Sequence, residues 1–245
     1  MASDRNLAAS RLLNKPLYLQ VRDLVIERIS KGQWKPGNAL PNEVDLAREF
    51  GLSTGTIRKA LDHLETERAV TRRQGRGTYV VDQSSDALAS RFWRIGGSDG
   101  KLVPGDIKTF EFAEALANEE ERRRLHLGPG DLVYRIHGVC VNRGVAFMIE
   151  DATIPVSLFP GLLEKKDATY RIGAIAQQYG LLLGRAQERV SIASAPATIA
   201  STLRVAPDTP VMQLDRLLMA LDGRPLEWRI AYCHLAGGCY LAELG

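Results

Sequence analysis

The sequence predicts an α+β chain in two parts, an N-terminal winged helix-turn-helix followed by a larger antiparallel sheet domain with helices on one side. Three observations lead there. Between Asn42 and Glu67 two helical patterns abut, with only Leu52 between the stop of one and the start of the next. Directly after them, Gln74-Gly75-Arg76-Gly77 sits between two β-forming runs. Beyond residue 107, long apolar runs flank Asn142-Arg143-Gly144 and Asp222-Gly223-Arg224, which read as hairpin turns.

The first helix is predicted over residues 16–31, where Leu17, Val21, Leu24, Val25 and Ile29 fall on one face. Pro16 suits its first turn and Gly32 its end. Pro36-Gly37 then marks a turn. Asn42 can cap a second, short helix that buries Leu46, Ala47 and Phe50 and stops at Gly51. Ser53 can cap a third helix running to about Glu67, with Ile57, Ala60, Leu61 and Leu64 as its buried stripe. Strands over 69–73 and 78–81 complete the module.

The polar residues of this module point to a polyanion. Residues 11–82 hold thirteen Lys/Arg against nine Asp/Glu, a local balance of +4, whereas the whole chain of 245 residues carries only +3. Ser53, Thr54, Thr56, Arg58 and Lys59 crowd the start of the third helix, where hydroxyls and amides can meet phosphates and base edges and an arginine can reach a guanine. Two helices joined by so tight a turn present the second to a major groove. A Gly-x-Gly that cradles a nucleotide phosphate opens a helix, but here Thr78-Tyr79-Val80-Val81 follows, so the glycines belong to a hairpin tip. Arg72, Gln74, Gly75, Arg76 and Gly77 are the wing candidates for double-stranded DNA, with the glycines letting the backbone approach closely. A protein-interaction module of the same helix-hairpin order is the alternative.

Residues 16–81 resemble the DNA-binding domain of GntR-type bacterial regulators, through "PLYLQV", "KPGNALPNEVDLAREFGLSTGTIRKALDHLE" and "RRQGRGTYV". Two positions that often carry DNA-contacting arginines in that family hold Val44 and Thr54 here.

Residues 83–106 are polar and rich in Gly and Ser and read as a linker between a first domain at 11–82 and a second at 107–245, with Arg91-Phe92-Trp93-Arg94 able to dock on a domain. A strand near 107–115 precedes a helix capped by Asn118, with acids in its first turn and bases later, ended by Gly128-Pro129-Gly130. A hairpin 131–141/145–154, a helix near 169–179, a strand near 184–193, a helix near 196–203 and a hairpin 211–221/225–235 follow.

This order resembles the UTRA ligand-sensing domain of the HutC subfamily, which shares its fold with chorismate lyase, through "RRRLHLGPGDLVYRI", "IEDATIPVSLFPGL" and "DGRPLEW". The resemblance implies a small-molecule effector pocket between the sheet and its connecting segments, a homodimer and an inverted-repeat operator from which the effector releases the protein. It assigns Arg135, His137, Glu150, Tyr170, Arg185, Glu227 and Tyr232 to the pocket by position. Arg135 and Glu150, on adjacent strands, could equally form a cross-strand ion pair, and both tyrosines could be core or dimer residues. A DNA-tethered lyase acting on a carboxylate is the rival reading, although no nucleophile-base spacing supports catalysis.

Composition excludes several classes. No apolar run reaches the roughly 18–20 residues that cross a bilayer, and the N-terminus lacks the apolar core of a signal peptide, so a cytoplasmic protein is expected. Three cysteines, Cys140, Cys233 and Cys239, suit neither a disulfide framework nor a metal spacing, and no metal or cofactor is expected.

Overall fold

A computed structural model describes residues 15–84, 90–164 and 170–242. Two compact units result, one built on residues up to Gln83 with Gly180–Leu182 and the other on Ser84–Tyr179 and the residues from Leu183. Lys165-Lys166-Asp167, which reads as a solvated turn, lies outside the described residues.

In the first unit, α1 (Leu17–Ser30), α2 (Glu43–Phe50) and α3 (Thr54–Thr66) are followed by the hairpin β1 (Val70–Arg73) and β2 (Gly77–Val80). The caps are those the side chains dictate: Asn42 Oδ1 accepts from the Asp45 N–H at 2.9 Å, and Ser53 Oγ from the Thr56 N–H at 3.2 Å. Gly51 ends α2 in the left-handed conformation, φ 66°. Val21, Val25, Leu46, Ile57, Leu61 and Leu64 form the core, each at most 1% exposed, so each stabilises the fold by about 1.5–3 kcal/mol. Leu17 and Leu24, expected on the buried stripe of α1, are 53% and 43% exposed; Ile26 is buried instead. The α1 stripe is therefore offset from the one the spacing suggests.

The second unit is a six-stranded antiparallel sheet in the order β4-β5-β6-β9-β8-β7, formed by β4 (Asp106–Leu116), β5 (Leu132–Asn142), β6 (Val145–Pro155), β7 (Leu183–Ser194), β8 (Pro210–Ala220) and β9 (Pro225–Cys233). The short strands β3 (Ile95–Gly96) and β10 (Cys239–Tyr240) pair separately. Register places Arg135 opposite Thr153 and Gly138 opposite Glu150, so odd positions of β5 share one face with odd positions of β6. On that first face, α4 (Glu119–Leu125) lies over Arg135, Asp215 and Trp228, and α6 (Ala197–Leu203) packs on Val139, Ile149 and Tyr232.

The opposite face carries two covers. One is residues 90–104 with β10, where Trp93, Ile95 and Val103 pack on Phe147, Met148 and Cys233. The other comprises residues 156–164 and α5 (Ile172–Gln178), with Phe159 meeting Tyr179 edge-on and the Tyr179 hydroxyl donating to the Pro160 carbonyl at 3.0 Å. The expectation of helices on one side is thus corrected: α4 and α6 take one face and α5 the other. Within the segment that reads as a linker, residues 90–104 pack on the second unit, the docking expected of Arg91-Phe92-Trp93-Arg94. Trp93 donates its indole N–H to the Val103 carbonyl at 2.8 Å, and Arg216 donates to the Phe92 carbonyl at 2.5 Å, so this segment is held on the sheet by the Trp93 and Ile95 side chains and by the Phe92 backbone.

Candidate functional site

At the start of α3, Ser53, Thr54 and Gly55 are exposed, and Ser53 Oγ also lies 3.0 Å from Thr56 Oγ1. Arg58 is 65% exposed and gives Nε and Nη2 to Glu43 Oε2 at 3.0 and 2.8 Å. Lys59 has turned back over the Tyr18 ring, 4.2 Å from its centroid, which directs it to α1. Arg72 is held by its own module: it reaches Asp62 at 2.5 Å, Glu65 at 3.1 Å and Glu43 at 3.7 Å. These carboxylates commit Arg72 to fastening β1 onto α3. The wing tip differs. Gln74, Gly75, Arg76 and Gly77 are all exposed, the turn closes by the Arg76 N–H to the Arg73 carbonyl, and Gly75 and Gly77 hold φ of 69° and 103°. Arg76 makes no side-chain ion pair among the described residues.

In the second unit the face bearing α5 gathers three of the expected effector residues. Tyr170 donates its hydroxyl to Glu227 at 2.5 Å; Arg229 bridges Glu227 at 2.9 Å and Glu150 at 2.6 Å. Glu150 and Glu227 are 2% and 1% exposed. Burial opposes the charge of Arg229, but Glu150 and Glu227 outweigh it and hold the guanidinium well above its ordinary pKa. Burial pushes the Glu150 carboxyl up, with Arg229 pulling the other way, and burial beside Glu227 raises Tyr170 well above the usual phenol range. A second pair adjoins it: Arg216 meets Glu188 at 2.7 Å, and Tyr240 donates to the same carboxylate. Trp93, Arg94, Glu150, Arg216 and Arg229 line a small cavity of about 20 Å³ here. This ionic cluster sits in the seam between the two covers.

The other expected residues fall elsewhere. Arg135, His137 and Tyr232 line a cleft of about 460 Å³ on the face of α4 and α6, with Asp151, Thr153 and Trp228. Arg135 pairs with Glu121 at 2.7 Å and His137 with Asp151 at 2.7 Å. Arg135 and Glu150 therefore neither pair nor share a cavity, because their register puts them on opposite faces. Arg185 is exposed at a register shift in β7 and joins neither group.

Residue-by-residue reading missed Glu43, Arg216 and Arg229. A signal was present for Arg229: it stands two residues after Glu227 in a strand, so both side chains must point the same way. Glu43 carries no such signal, since its partner Arg58 is fifteen residues away on another helix.

Among the described residues no helix is long and apolar enough to cross a membrane, and no group of three or more His, Cys, Asp or Glu side chains could hold a metal ion. Comparison with known proteins agrees with the two-unit division. Residues 17–80 match the bacterial regulatory proteins of the gntR family, and residues 106–236 match the UTRA domain. The mannosyl-D-glycerate transport/metabolism system repressor MngR of Escherichia coli K12 is 26% identical over 219 residues, 88% of this chain and 90% of that protein. The histidine utilization repressor of Pseudomonas putida is 29% identical over 157 residues, 63% of this chain and 62% of that one. Among solved structures, the ligand-binding domain of a GntR-family regulator from Bordetella bronchiseptica superposes with a TM-score of 0.57 at 25% identity, covering 63% of this chain and 98% of that one. PhnF from Mycobacterium smegmatis shares the fold, with a TM-score of 0.56 at 23% identity and coverage of 92% and 99%. The chain belongs to the gntR family of bacterial regulatory proteins, as a DNA-binding transcriptional regulator whose second domain is a ligand-sensing UTRA domain.

Proposed function

We propose that this regulator is a repressor that binds an inverted-repeat operator as a homodimer in the cytoplasm, acts by binding rather than turnover, and is released by a small polar metabolite seated at the Tyr170-Glu227-Arg229-Glu150 cluster. One observation carries the effector assignment: buried ionic groups lie at the seam between two covering segments, at the centre of a sheet that apolar side chains could have filled. Such a cluster costs desolvation energy, and a polar ligand that inserts between the covers exchanges internal ion pairs for bonds to itself. Binding would then shift the covers between two arrangements, coupling effector and DNA through one equilibrium. On the DNA side the reading rests on Ser53, Thr54, Thr56 and Arg58 at the start of α3 and on the wing tip 74–77. Arg72 and Lys59 serve as supports for those groups. MngR and the histidine utilization repressors are named as repressors, which favours that sign of regulation.

A screen of polar metabolites by thermal shift, followed by operator release, tests the site. The true effector should raise the melting temperature of the wild type and displace DNA, while Tyr170→Phe and Glu227→Gln should need at least about tenfold more of it, the loss expected of one charged hydrogen bond. Unchanged release in both variants would move the site to the cleft of Arg135 and His137.

A further inference from the structure

We propose that Glu43 is a positioning residue for sequence readout: its single carboxylate fixes the Arg58 guanidinium on α3 and draws the base of the wing to the same point. The inference rests on the reading of Arg58 as a base-contacting residue. Glu43 is the first residue of α2, where the helix dipole favours a carboxylate, and the Asn42 cap sets the direction from which it projects. Its Oε2 takes both Nε and Nη2 of Arg58, and its Oε1 lies 3.7 Å from Nη2 of Arg72. One side chain thereby touches α3 and β1 from α2. Arg72, in turn, donates from Nη2 to the Arg58 carbonyl at 3.4 Å, so the two arginines are linked through backbone as well.

The chemistry of the guanidinium gives this contact its meaning. Arginine has five donors in a planar fork, and Glu43 occupies the edge made by Nε and one Nη2 hydrogen. Among the described residues nothing bonds the Nη1 end, on a side chain that is 65% exposed. A long side chain that is already held in one orientation gives up less freedom when it binds, so a contact at the free end becomes stronger and more directional. The carboxylate also carries a negative charge toward the DNA side. It weakens binding to phosphates on any sequence and leaves the base contact to compensate, a combination that raises discrimination more than affinity.

The test uses the full chain and a randomised duplex pool, with selection and sequencing of bound DNA for the wild type, Arg58→Ala and Glu43→Gln. The glutamine keeps the size and one acceptor oxygen. The expected result is that Arg58→Ala loses preference at one base pair of each half-site, and that Glu43→Gln weakens preference at the same pair by about two- to tenfold while keeping the rest of the motif. Affinity of Glu43→Gln for random duplex should be equal to or higher than wild type, which also reports that the module is folded. If Arg58→Ala changes one pair and Glu43→Gln leaves the motif intact or alters other positions, the clamp is overturned and the Arg58 reading stands. If Arg58→Ala leaves the motif unchanged, both fall.

Discussion

Two arginines four residues apart, Arg72 and Arg76, show how little a residue type says until its neighbours are placed. Arg72 lies among Glu43, Asp62 and Glu65, whereas Arg76 stands at an exposed tip. Removing Arg72 leaves three carboxylates facing one another, so Arg72→Ala should lower the stability of the first unit by about 0.5–1 kcal/mol. Arg76→Ala should leave the melting temperature unchanged and reduce the slope of log affinity against log salt by about 0.9 per DNA-binding head. Melting curves and salt titrations of operator binding for the two variants check the contrast; parallel salt lines for wild type and Arg76→Ala would remove the wing from the interface. Gly77 adds a backbone constraint. At φ 103° a β-branched residue is strained, so Gly77→Val should bind DNA worse than Arg76→Ala.

At the scale of elements, what is local in the chain is what its sequence reveals. Asn42, Ser53 and Asn118 all cap as their side chains suggest, because each reaches an N–H only three residues on. Asn118 goes further and forms a reciprocal capping box, its own N–H donating to Glu121 at 2.7 Å. The end of α4 was less legible: His126 adopts φ 55° and stops the helix before Gly128. Pairing across strands was not legible at all for Arg135. Its expected partner Glu150 is set on the other face by register, and its actual partner Glu121 comes from a helix.

That pairing makes α4 sensitive to acid. Burial opposes the charge of Glu121, but Arg135 and the Asn118 N–H outweigh it and hold the carboxyl below the usual carboxylate range. A depressed native pKa means that the unfolded state binds the proton more readily, so stability from this group is complete above about pH 4.3 and lost as pH falls through the native value. Asn118→Ala should cost about 1 kcal/mol at pH 7 yet keep this acid-side loss, because the backbone N–H that donates to Glu121 survives the substitution, whereas Glu121→Gln should abolish it. Denaturant unfolding of the wild type and both variants at pH 7 and in the range below 4 measures it; an acid-side loss in Glu121→Gln equal to that of the wild type would mean that the Glu121 charge contributes nothing.

At the scale of the whole molecule, a single recognition helix covers too little DNA for useful specificity, which is why a two-fold operator is expected. The second unit has a core of its own and long edge strands at β4 and β7, where Val190 and Ile192 are 41% and 73% exposed. Residues 83–245 alone are expected to sediment as a dimer at micromolar concentration; a monomer would overturn the assignment of the dimer contact to this unit.

The pairing of β3 with β10 has a consequence for how that second unit opens. Leu241 donates its N–H to the Arg94 carbonyl at 2.8 Å, and Val103 donates to Ile95 at 2.9 Å, so residues some 145 positions apart close one buckle. Segments fastened together in this way tend to open as one cooperative unit. The amides of Val103 and Leu241 should then exchange with deuterium at one common rate, and cutting the chain before Cys239 should speed exchange at Val103, in the very stretch that leads on from the DNA-binding module.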